Sequence, residues 1–123
     1  MDRHFAAPHF WDYVETLLAS GEWVIDRLAG SAHPRYPERI YPLDYGYIAG
    51  TTAADGDGVD IWIGSLPQRR LTALVCTVDL VKRDVELKLL LGCTLTEVQQ
   101  VLDFHSGGSQ AALLLLPPGG GMS

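Results

Sequence analysis

Asp55, Asp57 and Asp60 fall within six residues of one another in the stretch Asp55-Gly-Asp-Gly-Val-Asp60, and three phenols, Tyr41, Tyr45 and Tyr47, precede them. Carboxylates held so close repel one another, and a fold that gathers them needs a compensating cation. Mg²⁺ or Mn²⁺ suits that role, because both prefer hard oxygen ligands. Gly56 and Gly58 let the backbone turn tightly enough to aim the carboxylates at one point. An EF-hand loop is excluded, since its glycine and glutamate positions hold Asp60 and Leu66. The same stretch also fits a solvated hairpin turn, and each tyrosine fits a core aromatic as well as a donor to anionic oxygens.

Arg27, His33, Arg35 and Arg39 bring four basic side chains into one short segment of a chain whose formal net charge is −6. Such a concentration of donors suits an anion pocket, with His33 and Arg35 as candidate phosphate ligands. The alternative is a set of surface pairs with Asp26, Glu38 and Asp44. The acidic balance argues against a general nucleic-acid binder, which needs a basic face. An anionic phosphate substrate is repelled here unless metal ions screen the carboxylates.

The elements that must position these groups follow from periodicity. The apolar runs Leu74 to Val81 and Glu86 to Cys93 flank Lys82-Arg-Asp84 and predict an antiparallel hairpin, Val81 facing Glu86 and Asp79 facing Lys88. Strand alternation then puts Thr77, Asp79, Glu86 and Lys88 on one face, as a polar cluster or a cross-strand ion pair. Pro8 to Ala19 carries an apolar stripe at helical spacing, and Thr94-Leu-Thr-Glu97 is a capping box opening a second helix that stops at Gly107-Gly108. Ala111 to Leu116 reads as a buried strand, and residues 117–123 as a mobile tail. With 123 residues, 47% of them hydrophobic, the chain is expected to form one domain over residues 1–123, with an N-terminal helix within 1–20. Short strands, turn signals and two helices predict a mainly β or α+β fold. Cys76 and Cys93 are expected to be free thiols; the charged start and the lack of a membrane-length apolar run predict a cytoplasmic protein with no membrane partner.

The order Tyr41-Pro-Leu-Asp-Tyr-Gly-Tyr-Ile48, a six-residue spacer and Asp55-Gly-Asp-Gly-Val-Asp60 resembles the signature of the soluble, metal-dependent inorganic pyrophosphatases built on a single barrel. Asp44 and Gly58 stand where that signature has Asn and Pro. The resemblance implies a small five-stranded OB-like β-barrel with flanking N-terminal and C-terminal helices. It implies a Mg-dependent hydrolysis of diphosphate to two phosphates by metal-activated water, with Mg²⁺ or Mn²⁺ as cofactor. By it, Asp55 and Asp60 hold metal with Glu86 and Asp26, Asp57 deprotonates the attacking water, and Tyr45 positions that base. Arg35, Tyr41 and Lys88 then contact substrate, and a homo-oligomer is expected. The chain departs from the family at Val81, at Phe104-His105 and in a shortened segment between Tyr36 and Tyr41. Those departures leave two alternatives: a catalytically weak or silent metal–phosphate-binding relative, or a hydrolase of a different phosphorylated small molecule.

Overall fold

Two helices and six short strands follow one another along residues 6–119, the part of the chain that the computed structural model describes. They are α1 (Phe10–Leu18), β1 (Trp23–Arg27), β2 (Asp44–Ile48), β3 (Val59–Ile63), β4 (Leu71–Asp79), β5 (Asp84–Leu91), α2 (Leu95–Phe104) and β6 (Gln110–Leu115). One sheet runs β1-β2-β3-β5-β4-β6. All neighbours are antiparallel except β3 and β5. This is a mainly β, small OB-like α+β fold. It differs from expectation in having six strands rather than five and a sheet that is not closed, with β1 and β6 at its edges.

β3 and β5 are apolar without interruption at Ile61–Ile63 and Leu89–Leu91 because they lie at the centre and are covered on both faces. On one side Trp62, Val75 and Leu90 pack with Val98 and Val101 of α2 and with Tyr41 and Leu43. On the other, Ile48, Ile61, Leu74 and Leu89 meet Leu18, with Trp11 and Val14 of α1 packed against them. The Trp23 indole N–H donates to the Leu18 carbonyl at 2.9 Å and satisfies one of the free carbonyls at the end of α1. The Thr94–Glu97 capping box is present, and the Glu97 carboxylate also takes the Ser65 N–H at 3.1 Å, tying the start of α2 to the end of β3. Gly46 is required by close approach, since a Cβ there would lie 1.8 Å from the Val24 carbonyl oxygen of β1.

Two sequence expectations are corrected. The β4–β5 turn lies earlier than expected, so that Asp79 faces Asp84, Thr77 faces Glu86 and Val75 faces Lys88. Asp79 fixes it there, because its Oδ1 accepts the N–H groups of Val81 at 2.9 Å and Lys82 at 3.0 Å. The slip is even, so the faces survive, and Thr77, Asp79, Glu86 and Lys88 do share one side. β6 is not a buried strand: it alternates half-buried and exposed residues along the sheet edge, with Leu113 62% exposed. Of the tail, residues 120–123 lie outside the described residues, as do residues 1–5 ahead of α1. No helix among the described residues is long and apolar enough to cross a membrane.

Candidate functional site

The parallel pairing of β3 with β5 sets Asp60 directly beside Lys88, and the antiparallel pairing of β2 with β3 sets Tyr45 opposite Trp62. Lys88 is only 4% exposed. Its ammonium donates to the Tyr45 hydroxyl at 2.7 Å, to Asp60 Oδ2 at 2.8 Å and to Glu86 Oε2 at 2.9 Å. An ammonium has three donors, so Lys88 is saturated within the protein. Burial pulls the Lys88 pKa down, but the Asp60 and Glu86 carboxylates outweigh it and push it above the usual lysine value. Burial likewise favours neutral Glu86, and Lys88 overrides it and holds the carboxyl below its ordinary range. Burial, then the Asp60 charge, drives the Tyr45 phenol up, so it stays protonated at physiological pH.

Around this knot lies a cleft of about 410 Å³, lined among others by His33, Arg35, Tyr41, Asp55, Asp57 and His105. Asp55 and Asp57 stand on an exposed turn, where Gly56 adopts φ +90° and Asp55 Oδ1 accepts the Asp57 N–H at 3.0 Å. The His33 Nδ1 accepts the backbone N–H groups of Arg35 at 3.0 Å and Tyr36 at 3.2 Å, which leaves the ring proton on Nε2. Burial and the nearby Arg39 and Arg27 charges lower its pKa, so His33 is a neutral donor. Arg35 is exposed beside the Tyr36 ring, with its guanidinium 5.8 Å from the centroid. Tyr41 is buried in an aromatic cluster, its ring 5.8 Å from Trp62 and 5.0 Å from Phe104, so its packing role is present whether or not its hydroxyl meets a ligand.

Of the residues singled out in the sequence, Asp55, Asp57, Asp60, Glu86, Lys88, Tyr45, Tyr41, Arg35 and His33 therefore line one cleft. Asp26 does not. It sits exposed where the β1–β2 register breaks between Ile25 and Arg27, and it stands apart from the proposed metal set. Asp44 accepts the Ala29 N–H at 2.9 Å and pins the loop after β1.

The carboxylates of Asp55, Asp57, Asp60 and Glu86 are hard oxygen donors of the type Mg²⁺ and Mn²⁺ take. Donor chemistry thus fits such an ion. Placement is incomplete: among the described residues no group of three or more His, Cys, Asp or Glu side chains is gathered closely enough to hold a metal, and Lys88 neutralises Asp60 and Glu86 instead.

His105 has a larger part than its neighbours in sequence suggest. It is 4% exposed, and its Nε2 accepts the Trp62 indole N–H at 3.2 Å, so the proton must lie on Nδ1. Among the described residues that buried Nδ1 has no hydrogen-bond partner. Gln110 lies close enough to favour the charged ring, but burial and the Lys88 and Arg39 charges prevail and hold the pKa down at about 3. Ser109 and Gln110, which no motif marks, join the cleft because β6 pairs with β4 and puts Gln110 opposite Asp79.

No protein-family model matches the chain, and no curated protein matches it by sequence. Its fold is similar to solved structures. An inorganic pyrophosphatase from Neisseria gonorrhoeae superposes with a TM-score of 0.57 at 19% identity, covering 72% of this chain and 77% of that one. The inorganic pyrophosphatase of Helicobacter pylori gives 0.55 at 14% identity over 80% and 85%, and that of Coxiella burnetii 0.54 at 14% over 78% and 87%. At such identities the likeness is one of fold.

Proposed function

We propose that the chain is a metal-dependent hydrolase of phosphoanhydrides, with inorganic pyrophosphate hydrolysed to two phosphates as its simplest reaction. The observation that carries this reading is the single cleft in which Asp55 and Asp57 stand near the Lys88–Asp60–Glu86–Tyr45 knot, together with a fold shared with inorganic pyrophosphatases. Asp55 and Asp60, with Glu86, would hold Mg²⁺ or Mn²⁺, which when bound lowers the pKa of water and offsets phosphate charge. Holding the ion requires these carboxylates to come closer together than they stand among the described residues.

Asp57 takes the proton from the attacking water. The water oxygen bonds to one phosphorus while the bond from that phosphorus to the bridging oxygen breaks, releasing phosphate. Arg35 supplies positive charge to the non-bridging oxygens, and His33 donates from Nε2. Tyr45 stays protonated and, with Lys88, fixes Asp60. Lys88 contacts substrate only by exchanging one of its three present bonds, so its first role is positioning.

The reading includes self-association. Val85, Leu87 and Leu113 are exposed on the β5-β4-β6 face, and strand pairing aligns them around Cys76 and Val78; a second copy of the chain is the partner such an apolar patch fits. It also places the protein in the cytoplasm, supported by the free Cys76 and Cys93.

Phosphate release from pyrophosphate, with and without Mg²⁺ and beside Asp57→Asn, tests the proposal. The expected result is Mg²⁺-dependent release reduced at least about 100-fold in the variant, in line with loss of a general base. Release equal in the two proteins would refute the role of Asp57, and no Mg²⁺-dependent release from either would refute the activity.

A further inference from the structure

The carboxylate cleft does not end at Arg39. Tyr36, Arg39, Asp79, Phe104, Ser109 and Gln110 line both it and a second cavity of about 500 Å³ that continues along the turn between α2 and β6. Cavities of roughly 300–1,000 Å³ are the size that holds drug-sized ligands, and a bare phosphoanhydride has no atoms to place in the second lobe.

The two lobes differ in charge. The first sets Arg35, Arg39, Lys82 and Lys88 against five carboxylates. The second sets Glu38, Asp79 and Asp103 against Arg39 alone, and Arg39 is already committed. It donates to the Phe104 carbonyl and, at 3.3 Å, to Gln110 Oε1, with its guanidinium 4.4 Å over the Phe104 ring. A second phosphate is therefore disfavoured there. What the lobe offers instead is hydrogen-bond acceptors, the Ser106 and Ser109 hydroxyls, and one flat apolar surface, the Tyr36 ring, which is 41% exposed. At Gly107 and Gly108 a Cβ would meet nothing within 4 Å, so a ligand can approach the backbone itself. Phe104 and Gln110 line both lobes where they join, and the His105 Nδ1 behind them is buried away from a ligand.

Resting on the phosphoanhydride reading of the first lobe, the structure assigns an organic diphosphate as substrate: a phosphoanhydride esterified to an uncharged, hydroxyl-bearing ring, the ribose of a nucleoside or a free sugar, seated in the second lobe against Tyr36. Water oxygen bonds to the terminal phosphorus, and the bond from that phosphorus to the bridging oxygen breaks with its electron pair staying on oxygen. The products are inorganic phosphate, an organic monophosphate and one proton.

Calorimetric titration in Mg²⁺ with three non-hydrolysable probes tests this: methylenediphosphonate, adenosine α,β-methylene diphosphate and the matching analogue of ribose 5-diphosphate. The organic probes are expected to bind at least about ten-fold more tightly than methylenediphosphonate, in keeping with added stacking and polar contacts. Tyr36→Ala and Glu38→Gln, both at exposed positions, should each shrink that ratio several-fold. Equal affinity of the two organic probes assigns the lobe to the hydroxyl-bearing ring, and an advantage for adenosine adds a base stacked on Tyr36. A ratio of one or less overturns the inference, while phosphate release from pyrophosphate would leave the parent reading standing. Failure of all three probes to bind, with no phosphate release, overturns both.

Discussion

Replacing Lys88 with Met keeps most of the side-chain volume and removes the one cation that bridges Asp60, Glu86 and Tyr45. Deleting one partner of a fully buried ion pair costs about 3–5 kcal/mol. Here the Asp60 and Glu86 side chains retain 25% and 19% exposure, so water relieves part of the unpaired charge and the expected loss is about 2–3 kcal/mol. At roughly 4 °C per kcal/mol for a chain of this length, Tm falls by about 8–12 °C. The pH dependence follows from the direction of each shift. Glu86 is depressed in the fold, so its contribution is present above the ordinary carboxylate pKa and fades as pH falls through the lower folded value. Lys88 is raised, so its contribution is complete below the ordinary lysine pKa and is lost only as pH rises through the higher folded value. The difference between parent and variant should therefore be widest between about pH 4.3 and 10.4. The variant also leaves Asp60 without its ion-pair partner and Glu86 with Lys82 alone, at 3.5 Å, and Mg²⁺ at ten times its Kd should restore about 1.4 kcal/mol, more than it adds to the parent. Thermal melts across pH, with and without Mg²⁺, measure all of this. A Tm change under about 2 °C at neutral pH would refute the view that the knot holds β3 to β5, a shift that small being about half a kcal/mol.

His105 should stay neutral, with its proton on Nδ1, well below pH 6, titrating only near its lowered value of about 3; ¹⁵N-resolved NMR of the ring reads this, and titration near 6.5 would contradict the Trp62 hydrogen bond. Because the folded value lies below the unfolded one, that side chain stabilises the fold above about pH 6.5 and its contribution is lost as pH falls from there toward the folded value. Leu113→Asp, on the exposed face of β6, should convert self-associated protein to monomer without lowering Tm by more than about 1 kcal/mol equivalent, and light scattering behind size exclusion checks it; a monomeric parent would remove the self-association.

Much of the fold was legible because its signals are local. The Thr94–Glu97 capping box, the apolar stripe of α1 and the alternation that puts Thr77, Asp79, Glu86 and Lys88 on one face all depend on residues a few positions apart. The turn position depended on the Asp79 side chain capturing two backbone N–H groups, a choice that strand periodicity does not encode. The edge location of β6 depended on sheet order, as did the recruitment of Ser109 and Gln110 through β4. Its Leu-rich sequence reads the same at a sheet edge as in a core. In the site, the carboxylates and tyrosines could be read from spacing, whereas the saturation of Lys88 and the fixed tautomer of His105 are properties of three-dimensional neighbours.

Those two properties decide what the cleft can accept. Lys88 is spent on Asp60 and Glu86, Arg39 on Phe104 and Gln110, and the histidines that line the cleft are neutral donors. Lys82 lies 3.3 Å from Asp84 and 3.5 Å from Glu86. Arg35 lines the same cleft as Asp55 and Asp57, in a chain with a formal net charge of −6. A free phosphoanhydride carries several negative charges and meets a cleft with no surplus of cations, so under the proposed reading it enters together with divalent cations rather than before them. Affinity for a diphosphate analogue should therefore rise steeply with Mg²⁺ concentration and be almost absent in chelator. Tight binding in chelator would mean that the basic side chains suffice, and that the Lys88 knot opens on its own to receive the anion.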